Sequence, residues 1–108
     1  MNKGLEHIDE DSRALLSRAK AAIQKIEPEA EIYLFGSQAR GDFNDESDWD
    51  LLVVLPGKVT HKRKSSLIQQ FYDFELEEMV FFDLIIVSED EIRESSLFYH
   101  TPFYREIE

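Results

Sequence analysis

Apolar residues near the start of the chain fall at Leu15, Ala19, Ala22, Ile23 and Ile26. This is the three-to-four spacing of an amphipathic helix, and it predicts a helix over 11–26 that Pro28 stops. Glu31-Ile32-Tyr33-Leu34-Phe35 then alternates with β-branched and aromatic side chains, predicting a strand that runs into Gly36-Ser37. A short helical turn is expected over 38–40, stopped by Gly41, before a polar, turn-rich stretch over 42–47. Trp49 to Leu55 is almost unbroken in its hydrophobicity and reads as a buried strand ended by Pro56-Gly57. From Thr60 to Glu78, Leu67, Phe71 and Phe74 share one helical face and predict a second long helix, although its opening Lys62-Arg63-Lys64 opposes the helix dipole. Met79 to Val87 predicts a third strand. Ser88-Glu89-Asp90-Glu91 has the form of a capping box opening another helix, and Thr101-Pro102 predicts a short last helix reaching Glu108.

Three apolar strands flanked by helices imply an α/β (α+β) domain whose sheet is covered on at least one face. With 108 residues, 43% of them hydrophobic, the chain suits one compact core, so a single domain over 1–108 is expected. It has no apolar run long enough to span a bilayer, and its first residues lack the apolar core of a secretory signal, which predicts a cytoplasmic protein with no membrane partner. The absence of cysteine excludes disulfides, thiolate catalysis and cysteine zinc sites, leaving oxygen-ligand chemistry. A formal charge of -11, from 23 acids against 12 Lys and Arg, argues against direct nucleic acid binding and suits a basic protein partner or a small metal-bound nucleotide.

Three acids stand out against this background. Asp48 and Asp50 are two residues apart at the start of the second strand, so both point to one face while Trp49 points to the other. Asp83 sits inside Phe82-Asp83-Leu84 in the third strand and reaches the same place if the two strands are neighbours. Crowded carboxylates must take up protons or bind cations, and magnesium, which favours oxygen ligands and substrate phosphates, is the natural choice. Upstream, the strand breaks at Gly36-Ser37, where backbone N–H groups can meet a phosphate, and Arg40 and Ser47 can add side-chain contacts. The parts together suggest a site where metal ions and a nucleoside triphosphate meet. A calcium loop opening at Asp42-x-Asn44-x-Glu46 fails, because its sixth position is Ser47 and its twelfth is Val53. His7, His61 and His100 show no ligand spacing and read as surface residues; Phe71, Phe74, Phe81 and Phe82 read as core. Lys62-Arg63-Lys64 reads as a solvated helix end, with orientation of a triphosphate or partner as the alternative.

Gly36-Ser37-Gln38-Ala39-Arg40-Gly41, ten residues between Ser37 and the Asp48-Trp49-Asp50 strand, and the later Asp83 resemble the minimal nucleotidyltransferases of the DNA polymerase beta superfamily. The resemblance implies a small mixed sheet with helices packed on one face, and transfer of a nucleoside monophosphate, AMP in the reading favoured here, from an NTP such as ATP to an acceptor hydroxyl. It implies two magnesium ions held by Asp48 and Asp50, with Asp83 on the catalytic ion and helping to deprotonate the hydroxyl, and Gly36 and Ser37 on the terminal phosphates. Many small members resemble antitoxins paired with an all-helical HEPN toxin, so a HEPN-type partner protein as acceptor is the leading expectation. The alternatives are an antitoxin acting by contact alone and nucleotidyl transfer to a small molecule.

Overall fold

The computed structural model describes residues 10–35, 49–94 and 104–106. The first helix, α1 (Glu10–Ile26), has acids in its first turn and Lys25 in its last, which complements the helix dipole, and it buries Leu16, Ala19 and Ile23. Leu15, Ala22 and Ile26 pack at the margin of the same face. The strand β1 (Glu31–Phe35) follows, then β2 (Trp49–Leu55), the long helix α2 (His61–Glu78), β3 (Phe82–Ser88), the short helix α3 (Glu89–Glu94) and β4 (Tyr104–Glu106).

The strands form a mixed four-stranded sheet in the order β3-β2-β1-β4. β1 runs antiparallel to β2 and β4, while β2 and β3 are parallel, as a β-α-β connection through α2 requires. One face of this sheet presents Ile32, Leu34, Leu51, Val53, Leu55 and Ile86 to Leu16, Ala19 and Ile23 of α1 and Leu67 and Phe71 of α2. This is the hydrophobic core, and its helices cover that face as expected. Phe71 lies at its centre, stacked on Phe74 at 5.2 Å and edge-on to Phe82 at 5.4 Å. Among the described residues no helix is long and apolar enough to cross a membrane.

Thr60 caps α2, its side-chain oxygen accepting from the Arg63 backbone N–H at 3.1 Å. The basic start of this helix is not a solvated end throughout. Arg63 folds back and donates twice to the Glu27 carboxylate, at 2.9 and 2.7 Å, and to the carbonyls of Pro56 at 2.7 Å and Lys58 at 3.1 Å. The loop it holds turns at Gly57, whose φ of 75° suits a residue without a side chain. Farther along, Arg18 of α1 donates to both carboxylate oxygens of Glu78, at 2.9 and 2.8 Å, joining the two helices at their exposed margin.

Three expectations need correction. The third strand begins at Phe82 rather than Met79, because Met79 closes α2 in a left-handed conformation and Val80 donates back to the Glu75 carbonyl at 3.2 Å. Phe81 is exposed, not core. The last helix is not present over 104–106, where the chain instead pairs with β1, matching Leu34 to Arg105 and Phe35 to Tyr104. A helix of a few residues is marginal alone, and an open strand edge outweighs its local capping signal. The expected turn of helix over 38–40 lies outside the described residues, while the Ser88 capping box is seen in full: Ser88 Oγ accepts from Glu91 N–H at 3.1 Å and Glu91 Oε1 from Ser88 N–H at 3.3 Å.

Candidate functional site

Alternation along β2 settles where its acid points. Trp49, Leu51, Val53 and Leu55 belong to the helix-covered core, so Asp50, between Trp49 and Leu51, projects from the opposite face. Along β3, Phe82, Leu84 and Ile86 likewise pack toward the core, and Asp83 projects the other way. The parallel register then sets Asp50 directly beside Asp83, with Trp49 opposite Phe82 and Leu51 opposite Leu84 behind them. Two carboxylates thus share one face at the same end of two neighbouring strands. On its other side Asp50 is matched with Phe35, the last described residue before Gly36-Ser37.

The two acids differ in their surroundings. Asp50 is partly shielded, between β1 and β3, while Asp83 is exposed on the outer strand of the described sheet. Like charges in adjacent register positions repel, and a cation between them would relieve that repulsion. Among the described residues, no group of three or more His, Asp or Glu gathers as a metal cluster. The expected third ligand, Asp48, and the expected phosphate contacts Gly36, Ser37, Arg40 and Ser47 lie outside the described residues. Of the sequence-predicted site, the structure therefore brings together Asp50 and Asp83.

One residue that sequence reasoning passed over holds this pair in place. Glu75 is buried on α2, and its Oε2 accepts the Phe82 backbone N–H at 2.8 Å. The Phe82 ring is meanwhile gripped by Phe71 and by Phe74, whose ring centre is 6.1 Å away. Backbone and ring together fix the residue before Asp83, and so fix the direction in which Asp83 leaves the sheet. The available signal was an acid one turn beyond Phe71, on the apolar row of the helix, where an unbonded carboxylate would be costly. An open groove of about 440 Å³ between α1 and α2, lined by Ala22, Ile26, Asp73 and Phe74 among others, lies in the helical layer, across the sheet from the acids.

Comparison with known proteins identifies the family and the fold. Residues 16–104 match the model of the nucleotidyltransferase domain family. A segment of 38 residues is 45% identical to a candidate protein adenylyltransferase of Methanocaldococcus jannaschii, covering 35% of this chain and 38% of that relative's length. The crystal structure of a candidate nucleotidyltransferase from Sulfolobus solfataricus superposes with a TM-score of 0.61 at 23% identity, over 87% of this chain and 77% of the other. A second candidate nucleotidyltransferase structure gives 0.53 at 24% identity, over 86% and 97% of the two chains. These structures share the fold, and the family match extends over most of the chain, including both Asp50 and Asp83: the protein belongs to the nucleotidyltransferase domain family.

Proposed function

We propose that the chain transfers a nucleoside monophosphate, AMP, from ATP to a hydroxyl group on a partner protein, acting as the antitoxin to a HEPN-type toxin. The observation that carries the chemistry is the register of Asp50 beside Asp83, at the end of the sheet where β1 leads into Gly36-Ser37. In this reading the acceptor oxygen attacks the α-phosphorus, the bond from that phosphorus to the bridging oxygen of the β-phosphate breaks, and pyrophosphate leaves. Asp83, the exposed acid on the outer strand, takes the hydroxyl proton. Asp50, flanked by strands on both sides, is the fixed partner on the nucleotide side. Two carboxylates on one face, one of them open, are a donor set that suits hydrated magnesium, with Asp48, Asp50 and Asp83 as the residues that hold it. When bound, magnesium supplies charge stabilisation for the phosphates and the leaving group. Gly36, Ser37, Arg40 and Ser47 receive the phosphates.

Adenylyl transfer to protein draws support from the similarity to the candidate protein adenylyltransferase, and a basic partner from the charge of -11. The test is incubation with magnesium, each NTP and the protein encoded beside this one, read by mass spectrometry. An adenylyl mass gain on the neighbour is expected, and its loss in Asp50→Asn and Asp83→Asn variants that keep the wild-type circular dichroism. Metal binding is read separately, as a magnesium-dependent rise in melting temperature that both variants lack. Variants that transfer at the wild-type rate, or a neighbour that is never modified, would sink the assignment.

A further inference from the structure

The side of α2 turned away from α1 carries an apolar stripe that no other described element covers. Ile68, Tyr72, Leu76 and Met79 are 49%, 49%, 50% and 87% exposed, and Phe81, just beyond the helix, is 57% exposed. Their spacing of four, four and three residues keeps the helical members within an arc of about 80° along roughly 16 Å of helix. Gln70, Asp73, Phe74 and Glu77 line the groove toward α1, so the stripe lies on the other flank. An apolar strip of this length beside charged residues marks an interaction surface.

A second observation falls on the same strip. Met79 closes α2 at φ 56°, in the left-handed region that a glycine or asparagine ordinarily occupies at a helix end. A methionine is strained there, and at 87% exposure its side chain gains little from packing within the chain. Methionine is, however, the side chain that adapts most readily to a partner's surface.

Charge selects the occupant. A second copy would bring another -11 to the surface, so self-association along the stripe is opposed. Asp73, three residues before Leu76, stands exposed between the stripe and the groove, and exposed Asp83 follows Phe81 by two residues. We infer that Ile68, Tyr72, Leu76, Met79 and Phe81 form the docking surface for an amphipathic helix of the acceptor protein, one whose apolar seam is edged by Lys and Arg. The partner role rests on the proposed function. The stripe runs toward the end of the sheet that carries Asp50 and Asp83, so a helix seated on it brings its protein to the acid pair.

The test uses fluorescently labelled synthetic peptides of roughly 18 residues, long enough for five helical turns. One carries leucines at helical spacing edged by lysine, a second replaces the lysines by glutamate, and a third scrambles the leucine positions. Binding is measured by anisotropy without nucleotide, so it succeeds or fails independently of transfer chemistry, and Asp50→Asn should bind as wild type does. The lysine-edged peptide is expected to bind, and the other two at least about tenfold more weakly; Leu76→Glu and Met79→Glu should each weaken it by a similar factor with unchanged circular dichroism. Absent binding, unaffected stripe variants, or equal affinity for the glutamate-edged peptide would overturn the proposal. So would a dimer in sedimentation that Leu76→Glu returns to monomer, or displacement of the peptide by single-stranded RNA.

Discussion

Replacing Arg63 by alanine should unfold the protein more readily while leaving the chemistry of its folded molecules intact. The Arg63 side chain is 26% exposed and that of Glu27 17%, so their bidentate pair is partly shielded from water. Exposed pairs contribute about 0–1 kcal/mol and breaking a buried one costs about 3–5 kcal/mol. Here the substitution also strips donors from the carbonyls of Pro56 and Lys58, and we expect a net loss of about 2–3 kcal/mol, between those limits. For a domain near 100 residues that lowers the melting temperature by roughly 10–20 °C. Urea unfolding followed by circular dichroism measures the loss, and a double-mutant cycle with Glu27→Gln isolates the pair. A loss below about 0.5 kcal/mol, typical of a surface charge, would refute the structural role. A rise in the Michaelis constant for ATP with stability unchanged would instead return Arg63 to the triphosphate-orienting role that its sequence context allows.

The same pair predicts an acid response. Hydrogen bonding from Arg63 holds the Glu27 carboxyl below its ordinary value, against the opposing effect of burial, with the guanidinium charge adding to the lowering. A depressed carboxylate stabilises the fold above its unfolded value of about 4.3, and that contribution is lost as pH falls through the lower folded value; unfolding curves taken from neutral pH down through this window should show a shallower acid decline in Glu27→Gln than in wild type. Glu75→Ala, which leaves the Phe82 N–H without its acceptor, should destabilise by about 1–3 kcal/mol and lower kcat with little change in the Michaelis constant for ATP. Glu75→Gln keeps an acceptor oxygen and should restore kcat in large part; failure of that rescue would argue against a positioning role.

Much of the frame was legible because burial imposes its period on the residues. The strand from Trp49 to Leu55 and the helix of Leu67, Phe71 and Phe74 appear where hydrophobicity predicts them. That Asp50 and Asp83 share a face also follows from alternation, once the strands are neighbours. Their exact opposition did not, because register in a parallel pair is fixed by the connecting helix rather than by a local turn. Charges with a structural role were the hardest to read: Arg63 resembles its solvated neighbours Lys62 and Lys64 until Glu27, thirty-six residues away, is seen to face it. Phe81 erred in the other direction, since its apolar character suggested core and only the late start of β3 shows it outside. Of the candidate site, the facing of the two strand acids could be read from sequence, while the clamp on Phe82 depends on a contact between helix and strand that no local pattern encodes.

Arg63, Leu67, Phe71 and Glu75 form one row on α2, each four residues from the next. Its two middle members fill the core, and its two ends are charged groups bonded to backbone: Arg63 to the carbonyls after β2, Glu75 to the N–H that opens β3. Those ends are about 18 Å apart along the helix, close to the roughly 17 Å from Asp50 to the end of β2. The helix therefore spans the sheet and is fixed at both extremities, once to the exit of β2 and once to the entry of β3. A slip of one residue between these strands would turn Asp83 toward the core and leave Asp50 beside an apolar side chain. The row resists that slip at both ends with hydrogen bonds and in the middle with Phe71 and Leu67. It follows that the candidate site's geometry is set as much by α2, on the far face of the sheet, as by the strands that carry the acids.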